Sequence, residues 1–273
     1  MSTPAFEEDF TGRTAFITGA ASGQGRAVAL ALAERGANLV ALDLAGPLAY
    51  PAYLDAYDDG LESLASEVTA LGGRIQPHRG DVRDGAFLRG ATDAARSEFG
   101  GIDILFANAG VAAYGLAHEL TETEWDTVLD INLKGVWLSA RAVIPAMIDQ
   151  GSGVIIANSS IAGLRGLNRL SHYAASKWGV TGLVKSLAIE LAPHGVRAVS
   201  IHPTGVDTQL NDGLAALEGT TPLEIAQRSA GNLLPVPWVE TWDVVQLVLF
   251  LASDRARYLT GSQFVLDAGL LTR

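Results

Sequence analysis

Seven short runs rich in apolar and β-branched residues recur along the chain, and each is separated from the next by a longer stretch of helical periodicity. They are TAFITG, NLVALDL, RIQPHRGDV, IDILFANAG, GVIIANSS, VRAVSIHP and SQFVLDAG; a helix running to Arg35 follows the first, and another over 58–71 follows the second. Strands that are apolar on both faces and joined through helices cannot form hairpins. They predict a parallel sheet covered on both sides, a doubly wound α/β fold. At 273 residues with no linker-like tract, residues 1–273 read as one domain.

Composition removes several function classes. The formal net charge of −11 argues against nucleic acid or an anionic membrane surface as a partner. The absence of cysteine excludes disulfides, thiolate nucleophiles and cysteine-ligated metal, and a cytoplasmic location fits it. The N-terminal MSTPAFEEDF lacks the basic and apolar regions of a signal peptide, and the apolar run VVQLVLFLAS is too short to span a bilayer. The five histidines show no metal-ligand spacing with carboxylates, so no metal is expected.

Two segments interrupt the rhythm. One is the insertion at 45–59, AGPLAYPAYLDAYDD; the other covers about 209–236 and contains the amphipathic pieces LNDGLAAL and PLEIAQRSAGNLL. Loops of this length in a compact domain are often functional. The second segment reads as a lid of short helices over a site, or as plain cover for the core.

The first strand runs into a glycine-rich turn, with Gly19, Gly23 and Gly25 and with Ser22 and Gln24 among them, which then becomes an Ala- and Leu-rich helix. Such a turn lets main-chain N–H groups approach a pyrophosphate, and the helix N-terminus adds partial positive charge. Eighteen residues after Gly25, Asp43 closes the second strand, where a carboxylate suits the two ribose hydroxyls of NAD and repels the 2′-phosphate of NADP. Asp81 and Val82 after the third strand are placed for the adenine, and Asn108, Ala109 and Gly110 end the fourth with small residues close to the cofactor.

The run from Thr18 to Gly25 (T-G-x-x-x-G-x-G), the tripeptide N-A-G, a serine thirteen residues before a tyrosine, and Y-x-x-x-K occur in that order. Together they resemble the short-chain dehydrogenase/reductase family, with its Rossmann-type sheet, over essentially the whole chain. GQGR, the YP of the insertion, HPTGVDT, LPVPWVE and ARYLTG are similar to the carveol dehydrogenase-like, mycofactocin-coupled subgroup. The resemblance implies Asn132, Ser160, Tyr173 and Lys177 as the catalytic set. Tyr173 would be the general acid/base, Lys177 would lower its pKa and bind the nicotinamide ribose, and Asn132 would hold a proton-relay water. Pro203, Val206 and Thr208 would fix the carboxamide.

Physical chemistry bears on the same residues. Tyr173 and Lys177, four apart, share a helix face. Moving a phenol from its ordinary ~10 to near 7 takes ~4 kcal/mol of preferential phenolate stabilisation, and an ammonium and a cationic nicotinamide are suited to supply it. Ser160 would stabilise alkoxide charge, with Ser159 as the competing choice. His172, one residue before Tyr173, points elsewhere and reads as a pocket-lining or surface histidine.

Leu210, Leu214 and Leu217 of the lid, and Ile161, Leu164 and Leu167 after Ser160, with Arg165 the single fixed charge in that segment, together with the resemblance, point to an apolar pocket for a lipophilic secondary alcohol or ketone such as a cyclic terpenoid. In the resembled subgroup the insertion accompanies NAD(H) that stays bound and is reoxidised by an external redox carrier; Tyr50, Pro51, Tyr53 and Tyr57 would then form a cover, the alternative being a plain surface loop. The family implies a homotetramer using the helical patterns at 121–149 and 171–191. A same-fold isomerase or dehydratase and a non-catalytic nucleotide-binding protein are the rival readings.

Overall fold

The computed structural model describes residues 8–44, 46–51, 59–229 and 231–272. Seven strands form one sheet: β1 (Thr14–Thr18), β2 (Asn38–Asp43), β3 (Ile75–Arg79), β4 (Ile104–Ala107), β5 (Gly153–Asn158), β6 (Val196–Pro203) and β7 (Gln263–Leu266). All neighbours are parallel, in the order β3-β2-β1-β4-β5-β6-β7. This is the doubly wound, Rossmann-type single domain that the alternating pattern predicts.

Helices α1 (Gly23–Ala33), α2 (Gly60–Ala70), α3 (Gly85–Phe99), α4 (Glu122–Leu129), α5 (Gly135–Gln150), α6 (Ser171–Leu191), α7 (Gln209–Glu218), α8 (Pro222–Ser229) and α9 (Thr241–Ala252) complete the chain. Because strand side chains alternate, each central strand feeds two cores. Ile17 of β1 packs with Val28, Leu64 and Val248 from α1, α2 and α9, while its neighbour Phe16 packs with Leu88, Val143 and Val184 from α3, α5 and α6. The five residues of β1 are all buried, as a strand covered on both faces requires.

The outer strands depart from that pattern. β3 and β7 are largely half-exposed, so the expectation of strands apolar on both faces fails at the two sheet edges, where each strand has a neighbour on one side only. Pro77 is tolerated in β3 because an edge strand has one unpaired side.

After β3 the chain crosses back to place β4 beside β1, so the segments leaving β1 and β4 diverge to opposite faces. The divergence opens a crevice at the carboxyl ends of the strands, the place where open α/β sheets bind ligands. No helix among the described residues is long and apolar enough to cross a membrane.

Candidate active site

A cavity of about 690 Å³ fills this crevice and extends under α7 and α8. Its floor is the glycine turn. Gly19 and Gly23 adopt φ of +67° and +50°, a region that L side chains rarely enter. A Cβ on Gly25 would overlap the Gly19 carbonyl, and one on Gly19 would sit 2.9 Å from the Ala109 Cα. The turn is therefore packed backbone against backbone, and no side chain of these glycines stands between its main chain and the cavity. Ser22 occupies the N-cap of α1 without a capping bond from its hydroxyl, and it lines the cavity.

Several side chains hold this cradle. The Thr18 hydroxyl accepts from Asn108 N and Ala109 N at 3.0 and 3.1 Å, and Asn108 Nδ2 donates to the carbonyls of Thr18 and Gly19 at 3.1 Å each. Asp43 Oδ2 accepts from Ala21 N at 2.9 Å, so the carboxylate that the sequence suggests for a ribose pins the turn. Asp81 is gripped by Arg83, whose Nε and Nη2 lie 2.9 and 2.6 Å from its Oδ2. Burial pushes the Asp81 carboxyl up, but the Arg83 bonds outweigh it and the net pKa is lowered. Val82 lines the cavity beside it.

Asn158, which the sequence reading did not single out, joins the two ends of the site. Its Nδ2 donates to Gln24 Oε1 at 2.9 Å and to Asn108 Oδ1 at 2.8 Å, while its main-chain carbonyl accepts from Lys177 Nζ at 2.7 Å. Its Oδ1 is buried without a partner. The only sequence signal was an asparagine at the end of a strand.

Tyr173 and Lys177 occupy the first two turns of α6 and face the cavity together, with Nζ 5.6 Å from the phenol ring centroid. Between Ser159 and Ser160 the geometry separates roles. Ser159 Oγ donates to the Lys177 carbonyl at 3.0 Å and anchors the helix, whereas the Ser160 hydroxyl pairs with that of Tyr173 and accepts from Ala162 N at 3.1 Å. Burial raises the phenol pKa and the Ser160 bond pulls against it. Burial also lowers Lys177 from 10.5 to about 8. The expected drop in the phenol pKa is thus not a property of the chain alone, because desolvation of the tyrosine wins.

Asn132 lies in a single π-turn, Asp130–Lys134, between α4 and α5. Such bulges recur at functional sites because they re-aim one side chain. Fully buried, its Oδ1 accepts from Val111 N and its Nδ2 donates to Val111 O, both at 2.8 Å, and to Ser176 Oγ at 3.2 Å. Gly110 fills the gap between this amide and the lysine: a Cβ there would sit 3.2 Å from Asn132 Oδ1 and 3.6 Å from Lys177 Nζ.

Pro203, Val206 and Thr208 line the cavity where β6 ends, and a Cβ on Gly23 would come within 3.3 Å of Thr208 Cγ2. The insertion supplies Gly46 and Leu48 to the cavity, and Leu48 and Tyr50 pack against Val82, Val111, Val128 and Ile131. Tyr53 and Tyr57 lie outside the described residues.

Three expectations need correction. His172 is fully buried and absent from the cavity lining; its Nε2 lies 3.2 Å from the Tyr50 hydroxyl, because α6 turns it under the insertion. Burial lowers the His172 pKa and pushes Tyr50 up to about 12, so both are neutral near pH 7. Leu217 is 47% exposed on the outer face of α7, while Leu210, Leu214 and Ile225 face the cavity. Leu164 does not reach the lining that Ile161 and Leu167 form. The sequence reading also missed a polar rim, where Arg169 pairs with Glu218 at 3.0 Å and stacks 5.2 Å over the Tyr114 ring. Among the described residues no group of three or more His, Asp or Glu is placed to hold a metal.

A backbone cradle at the switch point with a Ser–Tyr–Lys constellation opposite it defines a nucleotide-dependent oxidoreductase of the α/β class. The chain belongs to the short chain dehydrogenase family, whose profile matches residues 13–218. It is 43% identical over 269 residues to a (−)-trans-carveol dehydrogenase of Rhodococcus erythropolis, covering 94% of this chain and 97% of the relative. The solved carveol dehydrogenase from Mycobacterium avium in complex with NAD superposes with a TM-score of 0.92 at 38% identity, over 98% of this chain and all of that one. A short chain dehydrogenase from Mycobacterium paratuberculosis bound to NAD gives 0.88 at 36% identity, over 97% and 100%.

Proposed function

We propose that this short-chain dehydrogenase uses NAD in preference to NADP to interconvert a lipophilic secondary alcohol, of the cyclic terpenoid kind, and its ketone. The observation that carries the reading is that one cavity joins the glycine cradle to the Ser160, Tyr173 and Lys177 side chains. NAD fits the residues present: the glycine turn lets a pyrophosphate approach the main chain at the N-terminus of α1, Asp43 lines the cavity where the adenosine ribose would lie, and Asn158 Oδ1 has unspent acceptor capacity. When bound, NAD⁺ supplies the acceptor for the hydride that leaves the carbinol carbon.

The chain's own residues handle the proton. Tyr173 takes it from the alcohol hydroxyl as the carbon–oxygen double bond forms, and returns it in the reverse direction. Ser160 donates to the substrate oxygen and stabilises its developing charge. Because burial alone disfavours the phenolate, the required stabilisation exceeds ~4 kcal/mol, and the Lys177 ammonium is the chain's contribution to it. A water against Asn132 would carry protons from Lys177 outward. Pro203, Val206 and Thr208 would orient the carboxamide.

Leu210, Leu214, Ile225, Ile161 and Leu167 favour an apolar body on the substrate, and α7 and α8 act as its lid. The similarity to carveol dehydrogenases supports a cyclic terpenoid alcohol. The insertion, whose Gly46 and Leu48 line the cavity, would retain NAD(H) and leave reoxidation to an external carrier, as the resemblance to the mycofactocin-coupled subgroup implies. A homotetramer and a cytoplasmic location complete the proposal. Exposed Trp137 on α5 and Trp178 on α6 would lie between subunits.

The test is a panel of cyclic secondary alcohols with NAD⁺, with NADP⁺ and with an artificial electron acceptor, followed at 340 nm and by product analysis. Ketone formation with NAD⁺ or with the acceptor supports the reading. Product formed without net redox change would instead indicate an isomerase or dehydratase. Heating the purified protein and assaying the supernatant for NAD decides retention.

A further inference from the structure

β6 pairs with β5 in parallel, setting Ile201 level with Asn158, so the next residue of β6, His202, falls beside the bend at Ser159 and Ser160. His202 and Ser200 are both fully buried. His202 Nδ1 lies 2.9 Å from the Ser160 carbonyl oxygen, and its Nε2 lies 2.8 Å from Ser200 Oγ. A carbonyl oxygen only accepts, so Nδ1 carries the hydrogen; in the neutral ring Nε2 is then the acceptor, and the Ser200 hydroxyl donates to it. Burial lowers the His202 pKa, in keeping with a neutral ring.

The Ser160 carbonyl takes a second bond from Gly163 N at 2.9 Å, so both of its lone pairs are engaged from different directions. With Ala162 N on Oγ, three donors fix the main chain and side chain of Ser160. Two of the three come from the turn that Ser160 itself begins. His202 ties the Ser160 carbonyl itself to β6, one residue beyond the main-chain bond from Ser159 N to Ile201 O.

We infer that His202 is a positioning residue for the reaction: through Nδ1–H it fixes the Ser160 main chain to β6, and thereby holds the Ser160 hydroxyl against Tyr173. This rests on the reading of Ser160 and Tyr173 as the reacting pair. Without the tether the turn keeps its local bonds and the Thr181 hydroxyl on the Gly163 carbonyl, but the Ser160 peptide loses its anchor on β6 and can tilt, and small misplacements of a reacting group lower turnover more than binding.

The test compares His202→Asn, His202→Gln and His202→Ala in the full chain. An asparagine amide nitrogen reaches the position of Nδ1 and keeps the donor to Ser160; a glutamine amide reaches toward Nε2 and Ser200 and loses it. The glutamine and alanine variants should lower kcat for a cyclic secondary alcohol by about 10-fold or more, with KM for NAD⁺ nearly unchanged, and the asparagine variant should recover most of the rate. A second readout needs no turnover. In protein labelled at the tyrosine ζ-carbon, with Tyr173 assigned by Tyr173→Phe, that resonance should move in the glutamine and alanine variants and return in the asparagine one. An unmoved resonance in the glutamine variant overturns the proposal whether or not any alcohol is oxidised, as does an asparagine variant equally impaired at equal thermal stability. Should the alanine variant not fold, the other two carry the comparison. If the wild type oxidises no alcohol while the resonance behaves as described, the assigned reaction fails and the tether stands.

Discussion

Lys177 Nζ donates to the main-chain carbonyl of Asn158 at 2.7 Å, and Asn158 in turn reaches the glycine turn through Gln24 and the strand end through Asn108. Lys177 is thereby built into the same hydrogen-bonded frame as the glycine turn. That frame keeps it 4% exposed, and desolvation takes its pKa from 10.5 to about 8.

A buried ammonium of this kind costs stability. Lys177 binds its proton less tightly folded than unfolded, so between pH 8 and 10.5 the unfolded chain holds more protons and stability rises with pH through that window. The shift corresponds to roughly 3 kcal/mol of penalty at neutral pH, offset in part by the bond to Asn158. Lys177→Met should therefore be at least as heat-stable as the wild type at pH 7 and lose that margin by pH 10.5, while turnover falls by about 100-fold or more. Thermal melts across pH, beside initial rates, check both halves.

Tyr173→Phe removes the proton acceptor without opening a cavity. Turnover should drop below detection and the Kd for NAD⁺ should stay within about 3-fold, read by fluorescence titration. In the wild type, a phenol raised by burial needs alkaline pH to act as base. Alcohol oxidation should therefore climb with pH, and ketone reduction, which needs the protonated phenol, should decline as pH rises.

Gly25→Ala places a methyl group on the Gly19 carbonyl. The turn must open to admit it, so NAD⁺ affinity should fall by about 100-fold or more, with the melting temperature lowered as well. Titration calorimetry with NAD⁺ is the check; wild-type affinity in this variant would mean that the nucleotide does not lie on the turn.

Tyr50→Phe keeps the ring of the insertion in place and deletes its hydroxyl from His172. One such bond is worth about 1 kcal/mol, so the release rate of bound NADH should rise about 5-fold. Stopped-flow displacement of the cofactor measures it. His172→Phe, which also removes the pair, should match the effect.

Much of the fold was legible because it rests on local periodicity. β1, β2 and β4 to β6 carry continuous apolar runs, and the turn from Gly19 to Gly25 announces itself by residues only a special backbone requires. The edge strands were read less well, since exposure on one side depends on which strand ends the sheet, a property of strand order. Tyr173 and Lys177 were readable as a pair from their spacing, and Ser160 from the family resemblance, with Ser159 beside it. Asn158 and His202 were not, because each acts through hydrogen bonds to main chain far away in sequence, and such partners leave no periodic trace.

His172 makes the same point from the other side. Its place next to Tyr173 suggested a cavity wall or the surface, yet the insertion passes above it and buries it against Tyr50. Leu217 likewise matched the apolar residues of the lid but stands on the outer face of α7.

The sequence by itself determined the element order, the glycine-rich turn and the shared helix face of Tyr173 and Lys177, since each depends on residue type and short-range spacing. Only the tertiary structure decided which asparagine links the two ends of the site, which serine meets the phenol, and that burial drives the phenol and the ammonium toward their neutral forms. Those outcomes depend on desolvation and on hydrogen bonds across the crossover between β1 and β4, and both arise only when distant segments are packed together.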